Sequence, residues 1–217
     1  MHKPTLAISI ILSASLAFAG SALAKDVAVK ITPELASVKV MHNGKKVTIM
    51  RDQNQKATVN PDFAKTSRKC PPFCIKPLVL APGVETVGEL EVLDYLSKMT
   101  KGDKSILVID SRTPSWVEKG TIPGSVNIPW TKLAPQKGAN PLEIAEIFTS
   151  EFNVKEQEGL FDFRDAKTLV LFCNGMWCGQ SPNNIRTLLR FGYPADKIKW
   201  YRGGMQNWAN LGLTTVK

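Results

Sequence analysis

Four cysteines carry most of the chemistry this 217-residue chain can offer. Cys173 and Cys178 enclose Asn174, Gly175, Met176 and Trp177, and Gly179-Gln180-Ser181-Pro182 follows directly. The apolar run Thr168 to Phe172 leads straight into Cys173, and Ser181-Pro182 reads as an N-cap with proline at the first helical position. A cysteine between a buried strand and a helix faces free loop N–H groups and the positive end of the helix dipole. Both favour a thiolate, and both hold an anion transferred to or from it. Cys173 is therefore the candidate nucleophile, with Asn174, Gly175, Met176, Trp177, Gly179 and Gln180 as the candidate binding loop. The plainer alternative is a buried structural thiol or half of an inert disulfide; the strand-loop-helix setting favours the reactive reading.

Cys178 has three roles open to it. It can be a resolving thiol that attacks a persulfide or sulfenate on Cys173, a fixed disulfide partner, or neither. Were the segment from 173 to 178 extended, its ends would lie ~17 Å apart, so a bridge requires the loop to bend. Cys70 and Cys74 flank Pro-Pro-Phe, and there too an extended chain would span about 13 Å, so a local bridge requires a tight turn. A local disulfide, a redox-active dithiol serving Cys173 and unpaired thiols all remain open for this pair. Neither spacing is the two-residue knuckle of a zinc site, so no metal is expected, nor any other cofactor.

The elements that position these residues follow from hydrophobic patterning. Ser105 to Asp110 is a continuous apolar run, the mark of a strand buried on both faces of a parallel sheet. Further strands are predicted at 125–128, 168–172 and 198–201, interleaved with helices at 141–151, 182–191 and 204–211. A helix preceding the first strand opens with a capping-box pattern at Thr86-Val87-Gly88-Glu89 and ends at Lys101-Gly102. Strands alternating with helices give an α/β fold with a central, mainly parallel sheet flanked by helices, whose ligands bind beyond the strand carboxyl ends. Ahead of it, Val38, Val40, Val47 and Ile49 alternate around Asn43-Gly44, which predicts a β-hairpin. Residues 52–82 form a polar, proline-punctuated connector. Trp200 and Trp208 are assigned to the core, Trp177 to the pocket, and His42 to an exposed position beside the hairpin turn.

A composition of 43% hydrophobic residues and a mean hydropathy of −0.09 excludes disordered, collagenous and polytopic membrane classes. Lysine and arginine outnumber aspartate and glutamate by 28 to 19, for a net charge of +9. They are scattered rather than gathered into a stripe, which argues against a nucleic-acid partner and for a basic surface that attracts small anions. Residues 1–24 read as a secretory signal peptide: a basic start, an apolar run from Leu6 to Ala19 and a small-x-small site at Ala22-Leu23-Ala24. The run falls short of the ~20 apolar residues of a membrane span, so cleavage is expected to leave no span. The mature chain then has 193 residues, a charge of +8 after loss of Lys3, and a single histidine, His42. A periplasmic or otherwise extracytoplasmic location is expected, where disulfides persist. The organisation expected is a signal peptide (1–24), a hairpin and connector (25–85) and an independently folding α/β domain (86–217).

Within that last region Asp110-Ser111-Arg112-Thr113-Pro114, followed by Gly120-Thr121-Ile122-Pro123-Gly124-Ser125-Val126-Asn127-Ile128-Pro129, resembles the Asp-x-Arg and Gly-His-Ile-Pro-Gly signatures of rhodanese sulfurtransferase domains. Cys173 matches the family's catalytic cysteine, and Arg202 to Trp208 with Gly212-Leu213 resembles its closing glycine-glycine helix. The resemblance implies a single rhodanese-like domain. Cys173 would accept sulfane sulfur as a persulfide from a small sulfur-containing anion or persulfide donor, and pass it to a thiol acceptor. The 173–180 amides would cradle the anion, with Asp110 and Arg112 as structural supports. The chain also departs from the family pattern. No arginine or lysine lies between Cys173 and Ser181, Cys178 stands where a basic residue is usual, and Thr121 stands where histidine is common. These changes count against thiosulfate and cyanide as natural substrates. A phosphatase reading is disfavoured for want of an arginine in the loop to clamp a tetrahedral oxyanion. Two rivals stay open: a thiol-disulfide or oxyanion redox protein using Cys173 and Cys178, and a non-enzymatic module that engages a protein partner through its N-terminal segment.

Overall fold

A computed structural model describes residues 27–217; the leader expected over 1–24 lies outside the described residues. The chain begins with a hairpin of β1 (Ser37–His42) and β2 (Lys45–Met50), in which Val38 pairs with Ile49 and Val40 with Val47. Asn43 and Gly44 turn the chain at φ +48° and +75°, the left-handed pair that a two-residue hairpin loop of this type demands. The main sheet is built from β3 (Glu85–Val87), β4 (Ile106–Asp110), β5 (Val126–Asn127), β8 (Thr168–Phe172) and β9 (Ile198–Tyr201). Between them run α1 (Glu89–Thr100), the short α2 (Pro114–Val117), α3 (Pro141–Ser150), a small hairpin of β6 (Lys155–Gln157) and β7 (Leu160–Asp162), and α4 (Gln180–Arg190); α5 (Gly204–Asn210) follows β9.

All five strands of the main sheet are parallel, in the order β3-β9-β8-β4-β5, which puts β8 at its centre. Alternate residues of each strand enter separate cores. Leu107, Ile109, Leu169, Leu171 and Trp200 pack with Ile144, Phe148, Ile185 and Leu188 on one side. Val108, Val170, Phe172 and Tyr201 pack with Val92, Leu96, Met205 and Trp208 on the other. Two-sided burial is why these strands read as unbroken apolar runs.

Two helix starts differ from the sequence reading. Thr86 does not cap α1; residues 85–87 pair instead with β9, and the Gly88 N–H donates to Glu91 Oε2 at 2.9 Å. Strand pairing across the fold claims those backbone groups before a local cap can. Likewise α4 begins at Gln180, so Ser181 lies inside its first turn, fully buried, and donates to Ser111 Oγ at 3.0 Å. The β6–β7 hairpin has no counterpart in the sequence reading, since Lys155-Glu156-Gln157 offers no apolar alternation and all three residues are exposed.

Of the two buried clusters, the one around Leu169, Ile144 and Phe148 draws nothing from the hairpin, whereas the other is shared with it. Val38, Val40, Ile49 and Phe63 belong to the buried cluster that holds Val92, Leu96, Ile122 and Leu213. The Asp52 N–H donates to Gly212 O at 2.7 Å, and the Thr214 hydroxyl to Met50 O at 3.0 Å. The hairpin packs against α1, where the Met41 N–H donates to Thr100 Oγ1 at 3.1 Å, and Arg51 bridges to Leu213 after α5. His42 is accordingly half-buried rather than exposed, and its Nδ1 accepts the Gly124 N–H at 3.1 Å.

Candidate active site

The site is assembled at the carboxyl end of β8, where Cys173 leaves the sheet with 2% of its surface exposed. Its loop is shaped from below by the start of α5. The Met205 N–H donates to Cys173 O at 2.9 Å and the Gln206 N–H to Asn174 O at 3.0 Å. With those carbonyls held toward α5, other N–H groups of the loop are left to face the sulfur. Gly204 permits this approach. A Cβ there would collide with Cys173 O and stand 2.8 Å from Gly175 N, at a backbone φ of +56° that side chains resist. Gly204, the second glycine of the pair singled out in the sequence, thus lets the loop pack closely on α5.

The groups that favour a charged Cys173 sulfur are the Cys178 thiol, the Ser181 N–H and the Gly175 N–H, with the Ser181 hydroxyl beside them giving its one proton to Ser111 Oγ. Burial works against ionisation here, but these hydrogen bonds outweigh it and bring the Cys173 pKa down to about 7. Cys178 is its counterpart. Burial, reinforced by the neighbouring Cys173, pushes that thiol well above the ordinary range. The Cys178 S–H has two acceptors within reach, the Cys173 sulfur and Gln180 Oε1 at 3.6 Å, and a charged Cys173 is the stronger of the two. The loop curls so that the two cysteines meet, and the Cys178 N–H closes the turn on Gly175 O at 2.9 Å. The wide separation considered for an extended chain does not arise.

Asn174, Trp177, Gly179 and Gln180 line a cavity of about 520 Å³ beside Cys178. Met176 is exposed and does not line that cavity, and its carbonyl accepts the Lys76 N–H at 2.9 Å. Trp177 donates through Nε1 to Gln206 Oε1 at 2.8 Å, which fixes its ring over the loop. Trp200 and Trp208 are buried core residues.

Asp110 and Arg112 stand apart from the cysteines, buried to 1% and 0% exposure. Arg112 Nε donates to Asp110 Oδ1 at 2.9 Å and Nη2 to Oδ2 at 2.6 Å, while the guanidinium also binds the carbonyls of Trp116 and Gly120. Thr121, where the family often has histidine, completes the pair by donating to Asp110 Oδ2 at 2.7 Å. Ser111, lying between the two, links them to the site through Ser181.

Sequence reasoning missed several participants. The sequence marks Ser181 only as a cap, and Ser111 carries no signal beyond its place between Asp110 and Arg112. From the connector, Cys70 and Cys74 are joined through their sulfurs, with Cα atoms 4.7 Å apart, and the peptide bonds before Pro71 and Pro72 are cis. That turn brings Phe73 against Trp177, edge to face, at 5.6 Å between centroids. Arg68 stacks on the same indole at 3.8 Å. Among the described residues no group of three or more histidine, cysteine, aspartate or glutamate side chains is placed to hold a metal, and no helix is long and apolar enough to cross a membrane.

No curated protein matches the chain. Solved structures similar to it include a Rhodopseudomonas palustris protein of unknown function described as a possible tyrosine phosphatase, 20% identical over 61% of this chain and 85% of that one, with a TM-score of 0.39. The human single-domain sulfurtransferase TSTD1 is 22% identical over 58% of this chain and 95% of its own, at a TM-score of 0.38. A rhodanese-related protein from Thermoplasma volcanium is 16% identical over 61% and 97%, at 0.32. The family model for the rhodanese-like domain matches residues 92–211, from the first turns of α1 to the end of α5 and more than half of the chain, so this chain belongs to the rhodanese-like domain family.

Proposed function

We propose that the protein is an extracytoplasmic sulfurtransferase that carries sulfane sulfur as a persulfide on Cys173. The observation that supports this most is the set of donors around the Cys173 sulfur, which suits a thiolate and, equally, the terminal sulfur of a persulfide. The Cys173 thiolate attacks the outer, sulfane sulfur of the donor, and the donor's sulfur–sulfur bond breaks. The leaving group, sulfite from thiosulfate, sulfinate from a thiosulfonate, a thiolate from a persulfide or the shortened chain from a polysulfide, departs with the bonding electron pair, and Cys173 holds the persulfide anion. An acceptor thiolate then attacks the terminal sulfur, the Cys173 sulfur–sulfur bond breaks, and the Cys173 thiolate is restored. The attacking species in each step is the thiolate, and for Cys173 its fraction is raised by the lowered pKa of about 7.

Intact-mass measurement of the reduced protein after exposure to thiosulfate, polysulfide or an organic thiosulfonate tests this. The expected result is a gain of one sulfur atom, lost on addition of an acceptor thiol and absent in Cys173→Ser. A protein that never acquires the sulfur would sink the reading. Export rests on the pattern of residues 1–24 and agrees with the bond between Cys70 and Cys74. N-terminal sequencing of native protein should find Lys25 first.

The closeness of Cys178 to Cys173 favours a second reading. In it the Cys178 thiolate attacks the inner sulfur of the persulfide, hydrosulfide leaves, and a 173–178 disulfide forms that an external dithiol must reduce. Cys178→Ser separates the two. Repeated turnover with that variant fits transfer from Cys173 alone, and arrest after one turnover fits the redox cycle.

A further inference from the structure

The loop from Cys173 to Ser181 holds no lysine or arginine, yet the cavity beside it is cationic. Arg68 enters it from the connector and Lys137 from the opposite side of the chain, and no carboxylate lines it. Neither cation has an ion-pair partner among the described residues. Arg68 Nε and Asn183 Nδ2 are buried donors without acceptors, and Asn174 Oδ1 is an acceptor without a donor. Two cations without ion-pair partners, Arg68 and Lys137, and the unmatched Asn183 donor in one concavity call for an anion.

The walls call for more than a small inorganic one. Phe73, Trp116, Trp130 and Trp177 present aromatic rings to a space of about 520 Å³, the size of a site for an organic ligand. Arg68 is held where it can serve such a ligand. Beyond its stacking on Trp177, its segment is closed by the Cys70–Cys74 bond and pinned to the site at both ends. The Gln206 side chain donates to Lys65 O at 3.1 Å, and Arg202 Nη2 to Lys76 O at 2.7 Å.

We infer that Arg68 supplies the cation missing from the cysteine loop and thereby selects an organic anion, of the thiosulfonate or carboxylated-persulfide class, whose apolar body lies among these rings. The sulfur chemistry of that ligand rests on the function proposed above, but its binding does not. Arg68 lies outside residues 92–211, so the family pattern carries no trace of it.

Binding of benzenesulfonate, benzenesulfonamide and inorganic sulfate, followed by calorimetry at fixed salt, tests the inference. None of the three holds a transferable sulfur, so the result stands whether or not Cys173 forms a persulfide. The full mature chain should bind benzenesulfonate at least ~10-fold more tightly than either of the others, the charge accounting for one gap and the ring for the other. Arg68→Met should weaken benzenesulfonate by ~10-fold or more and leave benzenesulfonamide within about twofold. Equal binding of sulfonate and sulfonamide by the unmodified protein would overturn the inference even if the variant failed to fold. So would unchanged benzenesulfonate affinity in a folded Arg68→Met protein. Persulfide loading from benzenethiosulfonate, measured separately, then reports on the reaction itself.

Discussion

Cys173 titrates against its surroundings, and that makes its reactivity readable by pH. Only the thiolate alkylates, so the rate of reaction with iodoacetamide should climb with pH and pass half its plateau near the pKa of about 7. Below that value the thiol form takes over and the rate falls. Cys178, raised by burial, should stay unreactive across the same range. Removing one donor must move the half-point. Cys178→Ala should shift it upward, with no such change in the alkylation of an external thiol run alongside. A pH profile identical in the two proteins would mean that Cys178 does not stabilise the charge.

Elements meet through two polar devices that sequence reading placed only in part. The Asp110–Arg112 pair ties the end of β4 to α2 and to the turn at Gly120, and it is closed to solvent. Arg112→Met leaves the Asp110 carboxylate buried without its partner and should cost about 3–5 kcal/mol in urea unfolding. The loss should fall on stability and not on the pH profile of Cys173, since neither residue touches that sulfur. The second device joins the hairpin to the loop after α2. Burial lowers the pKa of His42, whose Nδ1 must stay unprotonated to accept the Gly124 N–H. A lowered folded-state pKa means that the unfolded chain takes up the proton first. The contribution to stability is then present above the unfolded value of about 6.5 and is lost as pH falls through the folded one. Urea midpoints measured from pH 8 to pH 5 should decline through this window. His42→Asn, which keeps an acceptor but cannot be protonated, should flatten that part of the decline.

At the scale of the whole molecule the N-terminal segment and the rhodanese-like domain share one of the two buried clusters. A chain shortened to residues 86–217 loses Val38, Val40, Ile49 and Phe63 from a buried cluster and uncovers Val92 and Leu96. Such a chain should keep its far-ultraviolet circular dichroism, lose near-ultraviolet signal and bind hydrophobic dye, the signature of lost side-chain packing. Cooperative unfolding at the stability of the full mature chain would show that the domain stands alone. The same truncation removes Arg68 and Phe73, so part of the cavity wall and part of one buried cluster are lost together.

Much of this was legible in the amino-acid order. Runs such as Ile106 to Asp110 and Thr168 to Phe172 mark a two-sided parallel sheet because burial on both faces admits no polar residue. Asn43-Gly44 marks its hairpin because few other residues tolerate consecutive positive φ angles. The place of Cys173 at the end of a strand follows from the same local signals. Other features have no local signal to read. Whether Glu85–Val87 caps a helix or joins a sheet depends on β9, more than a hundred residues away, and pairing with it decides the matter. Arg68 and Phe73 reach Trp177 across a similar distance in the chain, by contacts that leave no periodicity behind. The amino-acid order alone determined the α/β sheet and the cysteine at its edge, since both arise from neighbours along the chain. Only the tertiary structure decided that the two cysteines meet, that the hairpin shares the core, and that a cation from the connector stands over the loop, because each depends on segments that meet only once the chain has folded.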